Sequence, residues 1–154
     1  MVVEGFERFY NSALRFLSYR PRSKKEVEEK LLNKKAPQNI IDAVVGKLTE
    51  QKFLDDVEFA KWWIEQRTKV RPRAFKVIKF ELKQKGISEE TIDNLQLTID
   101  DLENAKKLLS KKLERYKDME KGERYQKLAQ FLARRGFSWE VVKKSIDEVF
   151  SEGV

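Results

Sequence analysis

A chain of 154 residues with 33 Lys+Arg against 26 Asp+Glu carries a formal charge of +7, which leans towards acidic partners, and its length suits one or two domains. It contains no cysteine and no histidine, which excludes disulfide frameworks, thiolate nucleophiles, His-based triads and imidazole or thiolate metal sites. Charged residues make up 38% of the chain, a bias that favours disorder, but 10 Phe, 4 Tyr and 3 Trp are too many large rings for a solvated coil.

The hydrophobic period is helical almost throughout. Phe6, Tyr10, Ala13, Leu14 and Leu17 mark a first helix, which Pro21 stops. Ser23 with Glu26 three residues on has the spacing of a capping box, opening a second helix with Val27 and Leu31 on its apolar stripe. Pro37 suits the first turn of a third helix whose buried face is Ile40, Ile41, Val44, Val45 and Leu48. The phrase then returns. Arg20-Pro21-Arg22 recurs as Arg71-Pro72-Arg73, and Val27, Leu31 and Ile41 match Ile78, Leu82 and Ile92. In a third copy Leu128, Leu132, Gly136 and Ser138 match Ile78, Leu82, Gly86 and Ser88. Leu54-Asp55-Asp56 and Ile99-Asp100-Asp101 each precede a helix, and extra residues fall near 116–122 in the third copy. Gly86 and Gly136 suit left-handed helix ends, and Ser88 and Ser138 suit the caps that follow. No alternating strand pattern competes. The expected fold is all-α, an elongated array of three tandem three-helix repeats over residues 1–54, 55–98 and 99–154.

No stretch approaches the roughly 20 apolar residues of a membrane span, and the N-terminal residues, with Glu4 and Glu7, read as neither a signal nor a transit peptide. A cytoplasmic protein with no membrane partner is expected.

Four ordered strings resemble the RecX family of bacterial RecA regulators. Ala13-Leu14-Arg15, Leu17 and Ser23…Glu26…Leu31-Leu32 look like its first repeat. Phe53-Leu54-Asp55-Asp56…Phe59-Ala60…Arg67 is similar to its LDDxxFAxxxxxxR motif, Leu82…Gly86-Ile87 to its ELxxKGI helix end, and Phe131 to Phe137 to its FLxRRGF string. The resemblance runs from about Tyr10 to Val149. Lys35-Ala36-Pro37 departs from it, standing where the family has a glycine and then an aromatic or aliphatic residue. The resemblance implies three three-helix repeats. It implies a partner, the RecA filament on single-stranded DNA, met across more than one protomer. It also implies restraint of RecA ATPase, strand exchange and co-protease activity, in the setting of DNA repair, recombination and the SOS response. Direct DNA binding is implied for some members. No cofactor is expected, and a monomer is expected.

Basic residues cluster in equivalent segments of adjacent repeats. Residues 67–85 hold Arg67, Lys69, Arg71, Arg73, Lys76, Lys79, Lys83 and Lys85 against Glu81 alone, and residues 15–35 include Arg20, Arg22, Lys24 and Lys25. A stripe of this kind attracts phosphates and makes binding salt-sensitive. Arg134 and Arg135 end a helix, where cations complement the dipole or meet the filament. The candidate nucleic-acid or filament contacts are therefore Arg20, Arg22, Lys24, Lys25, Arg67, Arg71, Arg73, Lys76, Lys79, Lys83, Arg134 and Arg135. Asp55-Asp56 and Asp100-Asp101 read as helix caps rather than Mg²⁺ ligands, since neighbours on a helix face different ways. Phe59 lies one turn before Trp62 and Trp63; Trp63 reads as core, Trp62 as core or a base-stacking ring, and Trp139 has no apolar counterpart. With no His, no Cys and no Gly-rich phosphate loop, catalysis is not expected. A direct DNA-binding module and a protein scaffold that ignores nucleic acid remain as rival readings.

Overall fold

The computed structural model describes residues 5–151. Among them are nine α-helices and no strand: α1 (Phe6–Tyr19), α2 (Lys24–Asn33), α3 (Gln38–Glu50), α4 (Asp56–Lys69), α5 (Phe75–Gln84), α6 (Glu89–Leu95), α7 (Asp101–Leu113), α8 (Lys121–Arg134) and α9 (Trp139–Ser151). Short 3-10 turns cover Gln96–Thr98 and Glu114–Tyr116, the second within the longer α7–α8 connection that the repeat comparison predicts.

Local chemistry explains the helix ends. Arg20 is extended, with φ −170°, and so leaves α1 just before Pro21. The capping box on α2 is complete: the Ser23 hydroxyl accepts from the Glu26 N–H at 3.1 Å, and the Glu26 carboxylate accepts from the Ser23 N–H at 3.1 Å. Pro37, expected inside the first turn of α3, is instead its N-cap, with ψ 152°. Ser88 and Ser138 accept from the N–H groups of Thr91 and Val141, capping α6 and α9. Gly86 and Gly136 follow α5 and α8 at φ 82° and 92°. Lys35 adopts the same left-handed turn after α2, at φ 68°, where the other repeats have glycine.

The chain forms two compact units, Met1–Trp63 with Leu82–Ile92, and Ile64–Glu81 with Asp93–Val154. Each of the middle helices α4, α5 and α6 contributes to both. In the first unit α1, α2 and α3 pack around Phe9, Ala13, Val27, Leu31, Ile40, Ile41, Val44 and Leu48. In the second, α7, α8 and α9 pack around Ala105, Leu108, Leu109, Leu128, Leu132, Val142 and Ile146, with Ala74 joining them. Ala13, Ala60 and Ala105 hold one repeat position and are each wholly buried. Leu32, beside the α2 stripe, is exposed.

Each unit contains one joint between consecutive repeats, and the two joints are built alike. In the first, the Asp56 carboxylate at the start of α4 accepts from the Lys24 N–H at the start of α2, at 2.8 Å. In the second, Asp101 at the start of α7 accepts from the Phe75 N–H at the start of α5, at 2.9 Å. A carboxylate thus satisfies an orphan donor of a helix in the preceding repeat and sits at the positive end of its dipole. The left-handed glycines complete the joints. A Cβ on Gly86 would lie 2.7 Å from Lys25 Cβ, and one on Gly136 would lie 2.5 Å from Val77 Cγ2. Both positions therefore need glycine twice over, for φ and for close approach.

Candidate binding surface

The two units divide the candidate contacts between them. Arg20, Arg22, Lys24, Lys25 and Lys83 lie in the first; Arg67, Arg71, Arg73, Lys76, Lys79, Arg134 and Arg135 lie in the second. Many of these charges are answered within the fold. Arg20 binds Glu26 at 2.6 Å and lies 5.5 Å from the Trp62 ring centroid. Arg67 and Arg73 share the Glu81 carboxylate, at 2.9 and 3.3 Å, and the side chain of Glu81 is only 16% exposed. Lys79 reaches Asp93, Lys83 reaches Glu89, and Lys25 reaches Glu29 and the Gln84 carbonyl. The dense basic run of residues 67–85 is thus partly neutralised by its single acid.

Arg22, Lys24, Arg71, Lys76, Arg134 and Arg135 form no ion pair with any described residue. The second unit draws several of these together. The Arg135 carbonyl accepts from the Ala74 N–H at 3.3 Å, and Lys76 Cε lies beside Gly136, 3.4 Å from where a Cβ would be. The joint therefore brings the Arg71–Lys76 stretch to the Arg134–Arg135 helix end. Arg135 lies 5.2 Å from the Phe131 centroid, which fixes its guanidinium without neutralising it. In the first unit Arg22 donates from Nε to the Phe16 carbonyl and lies 3.8 Å from the Phe16 centroid, which Lys30 also approaches.

Two carboxylates respond to these surroundings in opposite directions. Burial alone would push the Glu26 carboxyl up, but hydrogen bonds from Arg20 and the Ser23 N–H, with the charges of Arg20 and Lys85, outweigh it and hold the pKa below the usual range. Burial pushes Asp101 up, the Phe75 N–H works against the shift, and neighbouring Asp100 adds to it. Burial, then the nearby charge of Arg20, lowers the pKa of Arg22.

The aspartate pairs split their work. Asp55 and Asp100 cap their own helices as expected, accepting from the Val57 and Glu103 N–H groups at 2.9 and 3.1 Å. Asp56 and Asp101 instead reach the preceding repeat, a role that sequence reasoning missed; their recurrence at one repeat position was the available signal. Trp62 and Trp63 are half-buried against Phe59, with ring centroids 6.0 and 5.8 Å from it, and Lys85 covers Trp63. Trp139 is 63% exposed. Among the described residues no three His, Cys, Asp or Glu side chains are grouped to hold a metal ion, and no helix is long and apolar enough to cross a membrane.

These features define an all-α protein of tandem three-helix repeats with exposed basic surface. The chain matches the models of the RecX first, second and third three-helix domains over residues 10–48, 55–94 and 99–146. It is 33% identical to the regulatory protein RecX of Leuconostoc mesenteroides over 91% of this chain and 54% of that protein. It is 38% identical to that of Clostridium tetani, over 97% of this chain and 71% of that one. The crystal structure of RecX from Lactobacillus salivarius superposes with a TM-score of 0.82 at 27% identity, covering 96% of this chain and 97% of that one. The chain belongs to the RecX family, a family of regulatory proteins, although it spans only about half the length of several curated relatives it matches.

Proposed function

We propose that this chain is a non-catalytic cytoplasmic regulator that binds RecA filaments on single-stranded DNA and restrains RecA ATPase, strand exchange and co-protease activity. The observation that carries the reading is the repeat joint that sets Lys76 beside the Arg135–Gly136 helix end, with Arg71 and Arg134 in the adjoining segments and none of these four cations paired with a carboxylate among the described residues. Cations left unanswered within the fold are available to phosphates or to an acidic protein surface. The twelve candidate contacts are proposed with different weight: these four, with Lys24, are open to a partner, whereas Arg20, Arg22, Lys25, Arg67, Arg73, Lys79 and Lys83 must share theirs with an acid or carbonyl of the fold. Monomers acting through repeats divided at 54/55 and 98/99 fit this reading. Regulation would follow from unequal affinity for two filament states. The test is the single-stranded-DNA-dependent ATPase rate of RecA titrated with this protein. A saturable fall in rate is expected; an unchanged rate at saturating protein overturns the proposal.

A further inference from the structure

The first repeat carries a concave site that the filament reading does not use. A pocket of about 390 Å³ is lined by Arg8, Phe9, Asn11, Ser12, Arg15 and Lys34. Its size falls at the lower end of small-ligand sites, roughly 300–1,000 Å³. Among the described residues, three cations and no acid line it. None of the three forms an ion pair with a described residue, and the side chains of Asn11 and Ser12 make no hydrogen bond to one. Arg8, Asn11, Ser12 and Arg15 recur at helical spacing on one face of α1, so one rigid helix presents two guanidinium groups with an amide and a hydroxyl between them. Arg8 is held 4.8 Å from the centroid of the buried Phe9 ring. Lys34 enters from the far side: it is the C-cap of α2, and the left-handed turn at Lys35 sets where it stands.

We propose that this pocket binds the phosphate group of a nucleotide, with Arg8, Arg15 and Lys34 supplying charge and Asn11 and Ser12 supplying neutral hydrogen bonds. The repeat comparison argues against ordinary surface charge. The residues matching Arg8 in the other two repeats are Asp55 and Asp100, and those matching Asn11 are Glu58 and Glu103. In those repeats Asp55 and Asp100 cap their helices and Glu58 and Glu103 lie in the first turn, so the three-helix repeat does not itself call for cations at these positions. A surface kept wet by charge has no need of a single sign, whereas three like charges around one concavity repel one another until an anion enters. Guanidinium forks with amide and hydroxyl partners match phosphate oxygens in geometry as well as charge.

The source of the phosphate, a free nucleotide or a single strand, is separated by titrating the ¹⁵N-labelled protein with inorganic phosphate, AMP and oligo-dT, each against chloride at matched ionic strength. Saturable shifts of the Asn11, Ser12 and Arg15 amides are expected with at least one phosphate ligand. Shifts with AMP alone assign the site to a free nucleotide, and shifts with oligo-dT alone assign it to the strand. Arg15→Gln with Lys34→Gln, both exposed, should weaken binding about tenfold while leaving resonances outside the pocket in place. Absence of saturable shifts, shifts that chloride reproduces, or affinity unchanged in the double variant overturns the proposal. RecA is absent from these titrations, so their failure is distinct from failure of the ATPase test.

Discussion

At the scale of single residues, the most informative position is Lys35. The second and third repeats end their middle helices on Gly86 and Gly136 at φ 82° and 92°, whereas the first forces a lysine to φ 68°. A side chain in the left-handed region costs about 1–2 kcal/mol relative to the right-handed one, and glycine avoids that penalty. Lys35→Gly should therefore raise the urea midpoint with an unchanged slope, a gain of about 1 kcal/mol after the added freedom of the unfolded chain is subtracted. An unmoved or lowered midpoint would mean that the lysine side chain has a compensating contact. The departure from the family pattern at Lys35-Ala36-Pro37 was visible in the sequence, but its outcome was not. Whether the turn or the residue preference yields is decided by packing around Leu31 and Ala36, both buried, and by the Ala36 N–H donating to the Leu31 carbonyl at 3.0 Å.

At the scale of helices, the repeat joint is the unit that matters. Asp101 joins α7 to the start of α5, and Asp101→Ala removes the acceptor of the Phe75 N–H, which should cost about 1 kcal/mol in urea unfolding. Asp101→Asn keeps a carbonyl oxygen there and should cost little. The pH dependence distinguishes the two roles of the carboxylate. Burial raises the folded pKa of Asp101, so its contribution to stability is fully present below its unfolded value and is lost as pH rises through the folded value. The Asn variant should therefore compare better with wild type at pH 7 than at pH 4. Glu26 behaves oppositely: its folded pKa is depressed, so its contribution is lost only as pH falls through the folded value. Equal differences between Asn variant and wild type at both pH values would show that the Asp101 carboxylate is not strained by burial. The three-helix phrase, the capping box on α2 and the serine caps of α6 and α9 were legible because their partners lie within a few residues. The joints were not legible, because Asp56 meets the Lys24 N–H and Asp101 the Phe75 N–H across 32 and 26 residues. A helix-capping rule read locally assigns both aspartates to their own helices and stops there.

For the molecule as a whole, the excess of positive charge matters less than where it is left unanswered. Composition and the basic run of residues 67–85 were plain in the sequence. The sharing of Glu81 between Arg67 and Arg73 was not, since it depends on how α4 and α5 are brought together, nor was the approach of Arg135 to Ala74 and of Gly136 to Lys76. The fold therefore sorts arginines that composition treats as equal. Arg67 and Arg73 neutralise a largely buried carboxylate, and replacing both with Gln leaves Glu81 short of partners, a loss of roughly 1–3 kcal/mol in stability. Their removal should lower the salt dependence of binding by less than the loss of two unpaired cations would, because Glu81 answers one of their two charges. Arg71, Lys76 and Arg134 carry no ion pair among the described residues, and their joint replacement with Gln should leave the unfolding midpoint close to wild type. If each meets one phosphate, the slope of log affinity against log salt should fall by about 0.7 per contact, or roughly 2 for the triple variant. The measurement is binding to single-stranded DNA, naked and coated with RecA, across a salt series. A lower slope on both forms assigns these cations to DNA. A lower affinity on the coated form alone, with the slope on naked DNA unchanged, assigns them to an acidic protein surface of the filament. Wild-type affinity and slope on both forms would remove the basic joint from the binding surface altogether.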